Sequence, residues 1–346
     1  MIEVPRVELA PGYSVANIIN GCWQLSPGHG GGPSSTRNTK NHFAQLIDHG
    51  FTTFDCADIY TGTEEILGEF RRSLVNRDQI QIHTKFVPNK QSLGQLNDRK
   101  IDAAIDLSRK KLGVDRLDLV QFHWWDYDVP GLERMYERLL FAKSIGKIRL
   151  LGVTNFNTKQ LRNLIEHDVS IVSVQTQFSL VDRRPEQIMS PFCVENRVGM
   201  LSYGVLAGGF FSEKFLGQQL PTGLNRSQQK YRLIIDDAGG WEKFQKLLDL
   251  LDDIAKKHNS KIHSIASRWV LDQPGVAAIV LGIGSRSRAT ENQAIARIQL
   301  DAEDRQHICQ FLATQRDPRG DPYDFEREVG NEHHKIIHTD LQDFTA

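Results

Sequence analysis

The chain is expected to be an α/β protein, a closed (β/α)8 TIM barrel with a long strand-seven loop and a C-terminal extension. Three observations predict this. Short apolar segments alternate with amphipathic ones eight times between residues 16 and 298. The apolar segments lack the alternation of a half-exposed strand, so both faces should be buried, as in a parallel sheet. Eight such units favour closure over an open sheet. With neither a repeat nor a linker, residues 1–346 are expected to form a single domain, with 301–346 as its extension.

In order, the first strand runs from Ala16 to Gly21, before Cys22-Trp23 and a Gly/Ser-rich loop. A helix around Phe43, Leu46 and Ile47 leads to strand two, which begins at Phe51 and ends at Asp55. Tyr60 lies in the next loop, and Glu64 and Glu65 open a helix with Ile66, Leu67, Phe70 and Leu74 on one face. Strand three, from Ile80, ends at Lys85; strand four, from Leu117, ends at His123. Gly113 and Gly146 stop the two helices that follow them. Strand five ends at Thr154-Asn155 and strand six at Gln175. Strand seven, Met200 to Tyr203, opens a Gly-rich loop reaching to about Gly240. Two helices, strand eight (Ala277 to Leu281) and a last helix (Glu291 to Ile298) complete the barrel. The extension should hold a helix from Asp304 to Ala313 and then an irregular tail.

Composition excludes several classes. Lys plus Arg number 42 and Asp plus Glu 43, so no basic field invites nucleic acid. Cys22, Cys56, Cys193 and Cys309 form no Cys-x-x-Cys pair, which argues against a disulfide frame or a thiolate zinc site. No apolar run reaches the roughly 20 residues of a membrane span, and the amino terminus lacks a signal-peptide pattern. These readings imply a cytoplasmic protein with no nucleic-acid or membrane partner and no metal, acting on a small molecule, and more consistent with a monomer than an oligomer.

Asp55, Lys85 and His123 end three consecutive strands, and Tyr60 lies between the first two. In a barrel all four project toward the mouth where such folds carry their chemistry. A lysine ammonium beside a phenol favours the phenolate and lowers its pKa, Asp55 would keep the lysine charged and aimed, and His123 could polarise a carbonyl oxygen or pass a proton. Such a set suits delivery of a proton to an oxygen that gains charge on reduction. Singly, each residue is as well explained as a turn former, a solvated cation or a structural histidine. Their joint placement favours chemistry.

These residues resemble the aldo-keto reductase signature: Asp55-x-Ala57-x-x-Tyr60 with Leu67-Gly68, then Lys85 and His123. The resemblance continues through Gly152-Val153-Thr154-Asn155-Phe156, Gln175, the run Ser202 to Gly209, and Arg288-Ala289-Thr290-Glu291-Asn292. It implies NADPH-dependent reduction of an aldehyde or ketone, with Asp55, Tyr60, Lys85 and His123 as the catalytic tetrad and Tyr60 as proton donor. It also implies that Thr154, Asn155 and Gln175 hold the nicotinamide carboxamide and that Tyr203 stacks on the ring. Gly204 and Leu206 would form the pyrophosphate turn. Arg286 or Arg288 would hold the 2′-phosphate, with Glu291 and Asn292 near the adenine. Gly21 and Cys22 would touch cofactor and Trp23 the substrate. Trp124 and Trp125 are either core or, since side chains just past strand four face the pocket mouth, substrate walls, and at least one is expected as a wall. Thr154 stands where Ser is commoner, Thr61 replaces the usual Gly and Val205 the usual Pro. The tail from Gly320 to Arg327 resembles an extension in a less characterised branch. The same scaffold also serves as a cofactor-binding regulatory subunit, so that reading stays open. A metal-dependent barrel using Asp55 and His123 is disfavoured by the charge of Lys85.

Overall fold

The computed structural model describes residues 4–26, 36–167, 169–283 and 287–337. Its centre is a closed, all-parallel barrel of eight strands: β3 (Ile18–Gly21), β4 (Thr53–Asp55), β5 (Gln81–Phe86), β6 (Leu117–Phe122), β7 (Ile148–Thr154), β8 (Ile171–Gln177), β9 (Gly199–Tyr203) and β10 (Val276–Gly282). The expected (β/α)8 fold is therefore observed. Burial on both faces explains the unbroken apolar strands: every residue of β4 and β8 is buried.

Two antiparallel strands, β1 (Arg6–Ala10) and β2 (Tyr13–Ala16), precede the barrel as a hairpin that the expected first strand missed. Leu9, Tyr13 and Val15 pack with Ile19, Leu119, Leu150, Val172 and Leu201, so the hairpin plugs the amino-terminal end of the barrel. The other end is left for the site.

Helices surround the barrel: α1 (Thr36–Asp48), α2 (Thr63–Ser73), α3 (Asp98–Leu112), α4 (Leu132–Ser144), α5 (Thr158–Glu166), then two short pieces, α6 (Arg184–Gln187) and α7 (Met189–Asn196), after β8. The loop after β9 is not structureless. It contains α8 (Arg226–Asp237), opened by a capping box in which the Asn225 side chain accepts from the Gln228 backbone and the Gln228 side chain from that of Asn225. Polar residues dominate this helix, which hides its apolar periodicity in the sequence. α9 (Trp241–Lys257), α10 (Ile262–Leu271), α11 (Ala289–Arg297) and α12 (Ala302–Ala313) follow. The tail holds two further turns, α13 (Asp324–Arg327) and α14 (Glu332–Lys335). Among the described residues no helix is long and apolar enough to cross a membrane.

The tail returns over the carboxyl ends of the strands. The Asp321 carboxylate accepts from the Thr158 hydroxyl at 2.9 Å, and Asp324 from the Asn157 amide at 3.1 Å. Arg184 (α6) joins Asp182 at 2.7 Å and Glu326 of α13 at 3.5 Å, with all three side chains buried. Lys230 of α8 lies 3.7 Å from Glu326. Two acids against two bases thus bind three separate segments. His333 pairs with Asp237 at 2.8 Å and His334 with the Glu326 carbonyl, so these histidines serve different contacts; His338 lies outside the described residues.

The Leu67-Gly68 pair also has a packing cause. A β-carbon on Gly68 would stand 2.1 Å from the Lys111 carbonyl oxygen and 2.9 Å from Leu112 Cα, so α2 and α3 touch backbone to backbone. Gly68→Ala must push α3 away, and overpacking of this kind costs about 1–3 kcal/mol. We predict a lower thermal midpoint for Gly68→Ala by circular dichroism; an unchanged midpoint would show that the helices yield freely.

Candidate active site

Strand register gathers the site. Asp55 of β4 pairs with His83 of β5, so Lys85 lies two residues nearer the mouth on the same interior side. Lys85 in turn pairs with Gln121 of β6, and Thr154 of β7 with Gln175 of β8. Lys85 Nζ donates to Asp55 Oδ2 at 2.6 Å and to the Cys56 carbonyl at 2.8 Å. The other carboxylate oxygen accepts from Gln121 Nε2 at 3.0 Å and Gln175 Nε2 at 2.7 Å. Both charged side chains are 5% exposed, so the pair works at low dielectric, where removing one partner is expensive. Gln121 is a member that the sequence signature did not single out; its period-two position on β6 was the available signal.

Tyr60 sits above the pair with the Lys85 ammonium 5.0 Å from its ring centroid. The expected lowering of the phenol is present but outweighed. Desolvation pushes Tyr60 up to about 12, against the charge and hydrogen bonding of Lys85, and Asp55 adds to the rise. The phenol therefore stays protonated across the neutral range. Burial alone would push Lys85 down, but Asp55 and Tyr60 together hold it above its ordinary value.

His123, 2% exposed, bonds through Nδ1 to the Thr154 carbonyl at 3.0 Å. A carbonyl only accepts, so Nδ1 carries the proton. Burial, with the charge of Arg327, pushes the imidazole down to about 3, so it is neutral. Among the described residues its Nε2 is buried without a partner, and it presents a lone pair. A polarising hydrogen bond from His123 to a carbonyl oxygen would need a proton on Nε2, which this arrangement disfavours.

The remaining expected residues lie round the same mouth, with differences. Asn155 Oδ1 accepts from the Tyr203 hydroxyl at 2.7 Å, while no bond engages its Nδ2 among the described residues. The Lys230 ammonium lies 5.3 Å from the Tyr203 ring centroid. Gly204, at φ 72°, starts a turn that Leu206 continues, and a β-carbon on it would meet the Tyr231 hydroxyl at 2.4 Å. Gly21 pairs with Gly282 across β3 and β10, and buried Cys22 donates its amide to the Asp55 carbonyl at 2.8 Å. Arg288 precedes α11 and is exposed, Glu291 is half-buried and Asn292 buried; Arg286 lies outside the described residues. Trp23 is half-buried. Trp125 is also half-buried and meets the His123 ring edge-on at 4.4 Å. Trp124 differs: it has no exposed surface, its indole donates to the Val129 carbonyl at 3.3 Å, and its ring packs toward Gly131. It is core beneath the entry to α4.

Segments outside the sequence expectation complete the mouth. The Tyr323 ring stands edge-on to His123 at 5.6 Å, and Arg327 donates to the carbonyls of Trp124 and Asn155.

The aldo/keto reductase family model matches residues 17–313. The chain belongs to this family. The aldo-keto reductase YhdN of Bacillus subtilis is 28% identical over 318 residues, covering 89% of this chain and 94% of its own. The NADP(+) aldo-keto reductase yakc of Schizosaccharomyces pombe is 29% identical, covering 75% and 77%. The glycerol dehydrogenase of Gluconobacter oxydans superposes with a TM-score of 0.74 at 23% identity, covering 93% of this chain and 97% of that one. Within this family member the barrel mouth joins a buried ion pair, a protonated phenol and a neutral imidazole.

The histidines set an acid limit. His83, bonded to Tyr13 at 3.1 Å, is pushed down to about 4, chiefly by burial, and His123 to about 3. Unfolded histidines titrate near 6.5. Above that neither state binds the proton; below it only the unfolded chain does, so stability falls as pH drops from about 6.5 toward 4. Each group should cost about 2 kcal/mol at pH 5. Thermal melts at pH 7.5 and 5 should show that loss, and His123→Gln should reduce it; an equal loss in the variant would contradict the buried neutral imidazole.

Proposed function

We propose that this aldo/keto reductase reduces an aldehyde or ketone to the alcohol, with Tyr60 as proton donor and NADPH as the reductant. The observation that carries the reading is the Lys85–Asp55 pair set against a phenol that remains protonated at neutral pH.

The residues present suit the cofactor. Asn155 has an uncommitted amide donor, Thr154 and Gln175 end adjacent strands, and the Tyr203 ring and the Gly204 turn lie beside them. Thr154, Asn155 and Gln175 would hold the carboxamide; Tyr203 would stack on the nicotinamide, sharing its surroundings with Lys230. Gly204 and Leu206 would approach the pyrophosphate, Gly21 and Cys22 the ring, and Glu291 and Asn292 the adenine. The NADP(+) relative supports the choice of cofactor. When bound, the cofactor supplies the hydride.

The protein's own residues then manage charge and proton. The carbonyl oxygen gains negative charge as its carbon is reduced, and the Tyr60 hydroxyl donates its proton to that oxygen. An alkoxide is far more basic than a phenolate, so the transfer runs downhill even from a raised phenol pKa. The phenolate left behind is stabilised by the Lys85 ammonium, which Asp55 and the Cys56 carbonyl keep in place. His123 presents only a lone pair at Nε2, so the proton comes from Tyr60, and His123 would accept from the product hydroxyl and orient it. Trp23 and Trp125 supply flat apolar walls, suited to aromatic or apolar carbonyl compounds.

Two outcomes test this. Tyr60→Phe keeps the ring but deletes the proton, so the rate of NADPH consumption with an aromatic aldehyde should fall about a hundredfold or more, with cofactor affinity nearly unchanged. Turnover within a few-fold of the parent would refute Tyr60 as donor. Arg288→Ala should weaken NADPH binding by about 2 kcal/mol, the range of a charged hydrogen bond, and leave NADH binding alone. Loss of both cofactors together would show that Arg288 supports the fold rather than the 2′-phosphate.

A further inference from the structure

We propose that Gln121 is a positioning residue for the carbonyl reduction: its amide aims the Asp55 carboxylate so that Lys85 stays fixed beneath the Tyr60 phenol. The inference rests on the carbonyl-reductase reading and adds a member to its machinery.

Strand register puts Gln121 within reach. β5, which carries Lys85, lies between β4 with Asp55 and β6 with Gln121. Lys85 pairs with Gln121 along the β5–β6 ladder, and Gln121 with Gly152 on β7. A β-carbon on Gly152 would stand 3.4 Å from Gln121 Cγ and 2.4 Å from Ser173 Oγ, so the glycine leaves the room in which the Gln121 side chain lies. From there the amide crosses the Lys85 strand and reaches Asp55 Oδ1 at 3.0 Å.

An ionised carboxylate only accepts, which fixes the orientation of the amide: Nε2 faces Asp55 and Oε1 turns away. That oxygen is buried with no partner among the described residues. Burying an amide is unfavourable unless its hydrogen bonds offset the lost water, and the bond to Asp55 is the one that this side chain makes among the described residues. Gln121 has no exposed surface, so it reaches neither substrate nor cofactor and acts through Asp55.

The carboxylate has need of a fixed partner. Rotation about the Asp55 Cβ–Cγ bond is soft, with broad wells. Oδ2 takes Lys85 Nζ at 2.6 Å, while Oδ1 is held by the amides of Gln121 and Gln175. Gln175 is also among the residues proposed to hold the nicotinamide carboxamide, so its service to Asp55 is shared. Gln121, closed off from the mouth, keeps the carboxylate plane fixed and Oδ2 turned to the ammonium whatever Gln175 does. Its N–H also favours the ionised form of Asp55.

The test uses the full chain in single-turnover reduction of an aromatic aldehyde by NADPH, with thermal melts over the same pH range. Gln121→Met keeps the size and removes the donor; the rate should fall about tenfold or more, with NADPH affinity within about threefold of the parent. Gln121→Glu gives the sharper signature. Protonated, the introduced carboxyl donates its O–H to Oδ1 and keeps Asp55 aimed; ionised, it faces a like charge. Its rate should therefore approach the parent's at pH 6 and fall relative to the parent toward pH 9. Over that range Lys85 is held above its ordinary value, Tyr60 is protonated, and His83 and His123, pushed down to about 4 and about 3, are neutral, so the introduced carboxyl is the group that titrates. A carboxyl whose folded pKa is raised is harmless below its unfolded value of about 4.3 and destabilises increasingly above it. The gap in thermal midpoint between Gln121→Glu and the parent should thus widen from pH 5 to 9, and narrow when Asp55→Asn is added.

A Gln121→Met rate close to the parent's overturns the proposal. So does a Gln121→Glu deficit that matches the Met variant and ignores pH, which would mean that Gln121 only fills space. If Gln121→Met does not fold, the pH dependence of Gln121→Glu decides alone. A widening midpoint gap that Asp55→Asn removes, in a protein whose parent reduces no aldehyde, would keep Gln121 as the residue that aims Asp55 and refute the carbonyl-reductase reading.

Discussion

The ion pair between Lys85 and Asp55 is the constraint on which the mouth of this barrel depends. Two opposite charges at 5% exposure lose their water, and the protein replaces it with specific donors and acceptors: two glutamine amides on the carboxylate and a backbone carbonyl on the ammonium. The pair and its two glutamine partners come from four strands, β4, β5, β6 and β8, so satisfying the pair also fixes how these strands meet. An apolar pair would pack as well or better. On the proposed function, the charges are kept because they serve the phenol above them.

The same burial that strengthens the pair works on its neighbours in opposite senses. It keeps Tyr60 protonated and His123 neutral, so the mouth offers one loaded O–H donor and one bare ring nitrogen. The difference between the two groups follows from desolvation and one backbone carbonyl. The tail deepens this effect, since Tyr323 and Arg327 cover His123 and are anchored by the buried network of Asp182, Arg184, Lys230 and Glu326.

Much of this was legible in the sequence. The barrel followed from eight unalternating apolar segments, and the strand-end positions of Asp55, Lys85 and His123 put them at one mouth. Other features were not legible. The β1–β2 hairpin exposes Arg6, Glu8 and Ser14, so it lacks the unbroken apolar run that marks the barrel strands. α8 buries Tyr231, Ile234 and Ile235 among a majority of polar and charged residues, which masks the helical period. Trp124 and Trp125 are adjacent and chemically alike, and only the packing under α4 shows that the first is core while the second faces His123. The net direction of the Tyr60 shift was also hidden, because a charge is visible in a sequence and desolvation is not. Arg327 was visible only as part of a tail motif. Its place between the Tyr127 and Tyr323 rings, bonded to the Trp124 and Asn155 carbonyls, is a property of the assembled mouth.

The most direct measurement of the central claim is single-turnover reduction of an aromatic aldehyde by NADPH in Lys85→Met, with the fold checked by circular dichroism. If the ammonium stabilises the Tyr60 phenolate, the hydride-transfer step should slow by two orders of magnitude or more in a variant that still folds and still binds cofactor. A folded Lys85→Met protein that reduces the aldehyde at close to the parental rate would contradict the account.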